Sequence, residues 1–176
     1  EFLAWEAPQM MAPELFRVAV SSTGAVVISP DGELGAVVSD GNAVRLFQTS
    51  DGENSGEIDL SPNWVTGLCF SADGSRLAVA HGGGRVVVWN IPQNKLALEF
   101  AVNDYPMSLT YDAEGRLLVA GSYYGLQVRD AATGAVVKHH LRNEPTSQVY
   151  AFPTGRLALV ASSAEDSRII DTDSGD

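Results

Sequence analysis

Apolar positions along the chain fall in short bursts separated by polar, glycine-containing turns, and the bursts recur in sets. Ile28-Ser29-Pro30-Asp31-Gly32-Glu33-Leu34, Phe70-Ser71-Ala72-Asp73-Gly74-Ser75-Arg76-Leu77, Tyr111-Asp112-Ala113-Glu114-Gly115-Arg116-Leu117 and Phe152-Pro153-Thr154-Gly155-Arg156-Leu157 repeat one phrase. It runs from an aromatic or aliphatic residue through a polar turn and a glycine to a further apolar run. Gly32, Gly74, Gly115 and Gly155 are 42, 41 and 40 residues apart, and the third apolar run of each unit ends 14 or 15 residues after its glycine, at Phe47, Trp89, Arg129 and Ile170. Bursts of this length, punctuated by turn residues, are β-strands.

In the second unit the strands are expected at Val65 to Phe70, Leu77 to Ala80, Val86 to Trp89 and Leu96 to Val102. Val86-Val87-Val88-Trp89 is apolar on both faces, as a strand is when its sheet lies between two other sheets. Gly82-Gly83-Gly84 can close a hairpin without a Cβ penalty. A period of about 40 to 45 residues with four short strands per unit predicts an all-β chain of β-propeller blades. There are about four repeats, each a sheet of four antiparallel strands.

The expected divisions are the end of a preceding blade over 1–20, blades over 21–62, 63–103 and 104–144, and a partial blade lacking its outer strand over 145–176. Residues 1–20 enter this scheme because Phe2-Leu3-Ala4-Trp5-Glu6-Ala7-Pro8-Gln9 aligns with Val86 to Gln93, which makes Trp5 the end of a third strand and Leu15 to Val20 an outer strand. The expectation is an incomplete ring or half-propeller, whose open faces a longer polypeptide, a second copy or another chain would cover. The alternative is a small four-bladed closure in which Leu15 to Val20 pairs with Arg168 to Asp171.

Trp89-Asn90, Arg129-Asp130 and Ile170-Asp171 sit where a Trp-Asp pair falls in WD-repeat proteins, and Asp130-Ala131-Ala132-Thr133-Gly134 and Asp171-Thr172-Asp173-Ser174-Gly175 are similar to the turn that follows it. The chain therefore resembles the WD-repeat propeller family along essentially its whole length. No unit carries the family's Gly-His pair; Leu60-Ser61-Pro62-Asn63-Trp64-Val65 takes that place in the second. The resemblance implies a rigid, non-enzymatic scaffold or recognition module that binds another protein. A propeller enzyme or small-ligand sensor, with its site in the central channel, is the alternative of another class.

Composition narrows the partners. The 176 residues carry 11 Lys and Arg against 22 Asp and Glu, a net charge of −11, which repels nucleic acid and favours basic protein partners. The lone Cys69 excludes an intrachain disulfide and a thiolate metal cage, and reads as a buried, inert thiol. No apolar run reaches membrane-spanning length and no basic leader is read, so no membrane association is expected and the cytoplasm is favoured.

No residue set composes a catalytic or cofactor site. His139 and His140 are adjacent on an expected outer strand, point to opposite faces, and read as a surface edge. Asp171 to Asp176 faintly resembles an oxygen-rich calcium loop but lacks its length and terminal glutamate, so it reads as a turn. Gly82-Gly83-Gly84 lacks the Lys-Ser/Thr of a phosphate loop. No cofactor or metal is expected. What remains is one face, built by the loops before each inner strand and the hairpins between second and third strands. Asn63, Trp64, His81, Arg85, Tyr105, Tyr123 and Tyr124 are the candidate partner-binding residues there, beside Asp104, Glu165 and Asp166. His81 itself is expected on a solvated loop. Trp, Tyr and Arg are the side chains that concentrate binding energy at interfaces.

Overall fold

The structure is a computed structural model and describes residues 25–123, 125–162 and 166–176. Fifteen strands follow one another with no helix among the described residues. The first sheet holds β1 (Val26–Ile28), β2 (Leu34–Ser39), β3 (Ala43–Gln48) and β4 (Asn54–Asp59). The second holds β5 (Val65–Phe70), β6 (Arg76–His81), β7 (Arg85–Asn90) and β8 (Lys95–Ala101). The third holds β9 (Pro106–Tyr111), β10 (Leu117–Gly121), β11 (Gly125–Arg129) and β12 (Val136–His140). The last has three strands, β13 (Thr146–Ala151), β14 (Leu157–Ser162) and β15 (Arg168–Asp171). Every sheet pairs its strands antiparallel in sequence order, which is the blade arrangement that the period predicts. The expected strands at Trp5 and Leu15 to Val20, and with them the four-bladed clasp, lie outside the described residues.

Related side-chain chemistry builds this turn in the first three blades, and a glycine closes it in all four. At the turn between the first two strands, the Ser29 hydroxyl donates to Asp31 Oδ1 at 2.5 Å and its oxygen accepts the Leu34 N–H at 2.9 Å. Ser71 repeats this with Asp73 at 2.6 Å and Arg76 N–H at 3.0 Å. In the third sheet Asp112 does both jobs, accepting from the backbone N–H of Glu114 at 3.0 Å and Arg116 at 2.8 Å. Gly32, Gly74, Gly115 and Gly155 close these turns at φ of 78°, 68°, 77° and 77°, the left-handed region that explains why the repeat is marked by glycine. Between third and outer strands, the register slips at Leu46/Phe47, Val88/Trp89 and Val128/Arg129. A bulge at one position in three sheets gives each outer strand the same added twist.

Alternate faces of the second and third sheets bury against both neighbours, and the first and last sheets each bury one face against the sheet beside them. Ala36, Val38, Val44, Leu46 and Ile58 of the first sheet meet Leu68, Leu77, Val79 and Val87 of the second. Ala78, Ala80, Val86 and Val88 then meet Leu109, Leu117 and Val119, and Leu118, Ala120, Leu126 and Val128 meet Val149, Ala158, Val160 and Ile170. Leu77, Leu117, Leu118 and Leu126 are fully buried, each stabilising the fold by about 1.5–3 kcal/mol through removal from water. The core is thus a series of dry seams between successive blades.

Candidate interaction face

Backbone hydrogen bonds between neighbouring loops assemble the face. Val65 N–H donates to the Gly41 carbonyl at 2.8 Å, tying the approach to the second sheet onto the hairpin of the first. The carbonyl of Trp64 accepts from Gly82 N–H at 2.8 Å, and that of Tyr105 accepts from Ser122 N–H at 3.2 Å. Both aromatic residues are therefore fixed at the backbone, independently of their rings. Trp64 is 72% exposed, Tyr123 73% and Tyr105 42%. The Tyr105 ring leans from the third sheet onto the second: a Cβ added at Gly82 would stand 3.1 Å from its hydroxyl.

Asp104 clasps the third sheet's part of this face. Its Oδ1 accepts from Tyr105 N–H at 2.6 Å and from the Ser122 hydroxyl at 3.3 Å, while Oδ2 accepts from Tyr123 N–H at 2.9 Å. The carboxylate fits only because residue 121 is glycine, where a Cβ would lie 2.1 Å from Oδ2. Sequence reasoning puts Asp104 on the face but not at its centre; the signal was an Asp just before an inner strand, a residue that readily caps nearby N–H groups.

His81 departs from expectation. It ends β6 as the third member of the row Leu77, Val79, His81, all facing the first sheet, and is 3% exposed. The strand outruns its apolar stretch by one residue, and a side-chain period of two carries the imidazole inward. Its Nδ1 accepts from Gly83 N–H at 3.3 Å, and burial pulls its pKa below 6.5, against the pull of Glu99 and alongside Arg85. His81 thus supports the face from beneath. Asn63 is half-buried against Gly83, whose added Cβ would meet its Oδ1 at 2.8 Å. Arg85 is exposed and donates to Glu99 on the neighbouring outer strand. Tyr124 and Glu165 lie outside the described residues. Of the candidates, the structure groups Trp64, Asn63, Tyr105 and Tyr123 on one surface, with Arg85 at its edge.

Beside this face, a cleft of about 300 Å³ opens between the first and second sheets, bordered by Ile58, Asn63, His81, Arg85, Trp89 and Leu96. One sheet further on, Phe100 occupies the place of Ile58, and the Arg129 guanidinium lies 4.8 Å from the centre of its ring. Arg129 is 6% exposed, donates to Gln127 Oε1 at 2.8 Å and to the Gly134 carbonyl at 2.6 Å, and has its pKa lowered by burial. A second groove of about 410 Å³ runs along the inner strands past Thr66, Met107, Ser108, Thr110, Gln148 and Tyr150. Its lining is hydroxyl, amide and apolar.

The opposite face is held by ions. Arg116 donates to Asp112 at 2.7 Å in its own sheet and to Thr172 and Asp173 in the last one. Arg156 links back to Glu114 at 2.7 Å. The hydrogen bond from Arg116 holds the Asp173 carboxyl below the usual carboxylate range. Asp171 accepts from Asp173 N–H at 2.7 Å and Ser174 N–H at 3.0 Å, so this segment is a turn as the sequence indicates. Among the described residues, no group of His, Cys, Asp and Glu is placed to hold a metal. His140 corrects the surface-edge reading: it is half-buried, donates from Nε2 to the Thr172 carbonyl at 2.8 Å, and abuts Gly175. It fills the position that Phe100 holds one sheet earlier. Cys69 lies partly buried in the seam between second and third sheets, and burial pushes its thiol pKa up. No helix among the described residues is long and apolar enough to cross a membrane.

Comparison with known proteins agrees with this architecture. The family described as "WD domain, G-beta repeat" matches residues 56–90, which run from within β4 to the end of β7. No curated protein matches the chain by sequence. Among solved structures, the hydrazine synthase of Kuenenia stuttgartiensis shares the fold with a TM-score of 0.78 at 18% identity, over 94% of this chain and 50% of that one. The chain thus spans about half the length of that structure. A WD-type repeat at residues 56–90 lies within a run of β-propeller blades, the architecture to which this chain belongs.

Proposed function

We propose that the chain is a non-enzymatic recognition module that binds another protein through the face carrying Trp64, Tyr105 and Tyr123. The observation that carries this reading is the separation of holding from binding. The loops are secured by backbone bonds and the Asp104 carboxylate, leaving the Trp64 and Tyr123 rings in water at 72% and 73% exposure. Large rings on a preorganised backbone bury area at little entropic cost. With a net charge of −11, steering favours a basic partner segment.

The test is selection of binders from a displayed peptide library spanning acidic to basic segments, followed by titration against the native chain and the Trp64→Ala/Tyr123→Ala variant. Basic segments are expected to be selected, and the variant to bind them at least about tenfold more weakly. Its unfolding free energy should stay within about 0.5 kcal/mol, since both rings are exposed. Binders that keep their affinity for the variant, or that protect the opposite face around Asp73 and Glu114 in hydrogen exchange, would overturn the reading.

A further inference from the structure

On the ion-held face, one arginine position is answered differently in two successive seams. Arg76 and Arg116 stand just before Leu77 and Leu117, the first buried residues of β6 and β10. Each donates its backbone N–H to the residue that opens the turn, Arg76 to the Ser71 hydroxyl at 3.0 Å and Arg116 to Asp112 Oδ1 at 2.8 Å. Both guanidiniums reach the turn after the third strand of the next sheet. There Arg116 meets Thr172 and Asp173, while holding Asp112 of its own sheet at 2.7 Å. Arg76 meets Ala131 and Ala132 in the corresponding places, which the backbone confirms: Ala132 and Asp173 each donate N–H to the Asp two residues before, at 3.2 and 2.7 Å. Ser71 stands where Asp112 would be. Among the described residues, the Arg76 side chain donates to the Ala131 carbonyl alone, at 3.2 Å.

Between the second and third sheets at this point lies a cleft of about 380 Å³, bordered by Ser71, Asp73, Arg76, Tyr111, Glu114 and Ala131. Tyr111 brings a second unanswered donor. Phe70 and Phe152 hold its place in the neighbouring sheets, so the hydroxyl is peculiar to this seam, where it is buried without a hydrogen-bond partner. Burial pushes its pKa up, as do Cys69 and Asp73 against the pull of Arg76, so it stays a protonated donor at neutral pH. The two acids at the rim are already engaged. Asp73 accepts from the hydroxyls of Ser71 at 2.6 Å and Ser75 at 2.9 Å, and Glu114 from Arg156 at 2.7 Å.

We infer that this cleft binds the carboxylate of a small organic acid, which Arg76 receives as Arg116 receives Asp112 and Asp173. The planar fork of a guanidinium matches a carboxylate, and the fold makes that pairing from its own side chains one seam further on. The Tyr111 hydroxyl supplies a further donor to the same group. A single negative charge fits better than the two of phosphate, because one guanidinium balances one charge and Asp73 and Glu114 repel a second. Beyond the donors, the walls are Ala72, Ala113, Ala131 and the Tyr111 ring, which suit a short hydrocarbon body. The volume is that of a small-molecule pocket at the lower end of the usual range.

The experiment is titration of the full chain with propionate and benzoate, followed by NMR at the backbone amides of Ser75, Arg76, Gly115 and Ala131. Propionamide, benzamide and inorganic phosphate are titrated alongside. Saturable shifts at these amides are expected with the acids, in the millimolar range or tighter, and binding at least about tenfold weaker for the neutral amides and for phosphate. Arg76→Gln should weaken the acids at least about tenfold, and Tyr111→Phe at least about threefold. Because it removes a buried hydroxyl that has no partner, Tyr111→Phe should melt at or above the native temperature. Ala132→Asp places a carboxylate beside Arg76 as Asp173 stands beside Arg116, so it should raise the melting temperature and displace the acids. Its site is exposed, which keeps the test decisive even where Arg76→Gln fails to fold. Absence of saturable shifts with either acid, equal binding of the amides or phosphate, or acid binding that survives Arg76→Gln or Ala132→Asp unchanged would overturn the inference. No peptide is present and the aromatic face takes no part in these readouts, so this inference and the proposed partner binding fail independently.

Discussion

Thr146 gives the sharpest test of how neighbouring blades are tied. It is 1% exposed at the start of β13, and its hydroxyl reaches into the hairpin of the preceding sheet. The oxygen accepts from Gly121 N–H at 3.1 Å, and its proton faces the carbonyls of Gly121 at 3.0 Å and Gly125 at 2.9 Å. Thr146→Val keeps the shape and removes the polar group. It strands the Gly121 N–H at a cost of about 1–3 kcal/mol and forfeits a donated bond of about 1 kcal/mol. The added methyl returns up to about 0.8 kcal/mol of transfer energy, leaving a net loss of roughly 1.5–3 kcal/mol. At about 2–4 °C per kcal/mol for a chain this long, the melting temperature should fall by roughly 3–12 °C. Thr146→Ser keeps the hydroxyl and loses one methyl, costing about 1 kcal/mol. Urea unfolding gives the ranking, and hydrogen exchange at the Gly121 amide gives the local cause, since that amide should exchange faster in the valine variant alone. Equal stability of Thr146→Val and the native chain, or a serine variant worse than the valine one, would refute the reasoning.

His81 makes stability depend on pH below neutrality. Its folded pKa lies below 6.5 through burial, so as pH falls the unfolded chain takes the proton first and stability is lost; His81→Asn should flatten the melting temperature measured between about pH 7 and about pH 5. Arg129→Lys should cost about 1–3 kcal/mol, read as a shift in urea midpoint at unchanged slope, because a lysine cannot both cover the Phe100 ring and reach Gln127 and Gly134. A cost below about 0.5 kcal/mol would show that burial of the stem alone matters there.

The propeller was legible because its repeat is enforced by backbone geometry. A turn ending at positive φ requires glycine, and Gly32, Gly74, Gly115 and Gly155 all meet that requirement. The strands of the second unit follow the apolar runs to within one or two residues: Leu77 to Ala80 is expected and Arg76–His81 is found. The extra residue at each end is polar and lies beyond the reach of hydrophobic patterning. That margin is where His81 was misplaced, although its spacing of two and four from Val79 and Leu77 already put it on the inward row.

Contacts between blades were less legible, because they join residues tens of positions apart whose chemistry changes from seam to seam. Phe100 and His140 occupy one structural position, yet the first is covered by a guanidinium and the second donates to the Thr172 carbonyl. A Trp, an Arg and an Ile likewise stand at residues 89, 129 and 170. Trp89 donates to Asn94 at 3.2 Å, Arg129 covers Phe100, and Ile170 enters the last core cluster. The acidic residue after them is steadier: Asp130 accepts from Thr133 N–H at 2.8 Å and Asp171 from Ser174 N–H at 3.0 Å, as Asn90 does from Gln93 N–H at 2.9 Å. The turn needs an acceptor at that point, whereas the seam needs only a side chain that fills and satisfies its particular gap. Divergence therefore keeps the Asp or Asn of the Trp-Asp pair and frees the Trp, and a blade can lose the signature of its repeat without losing its fold.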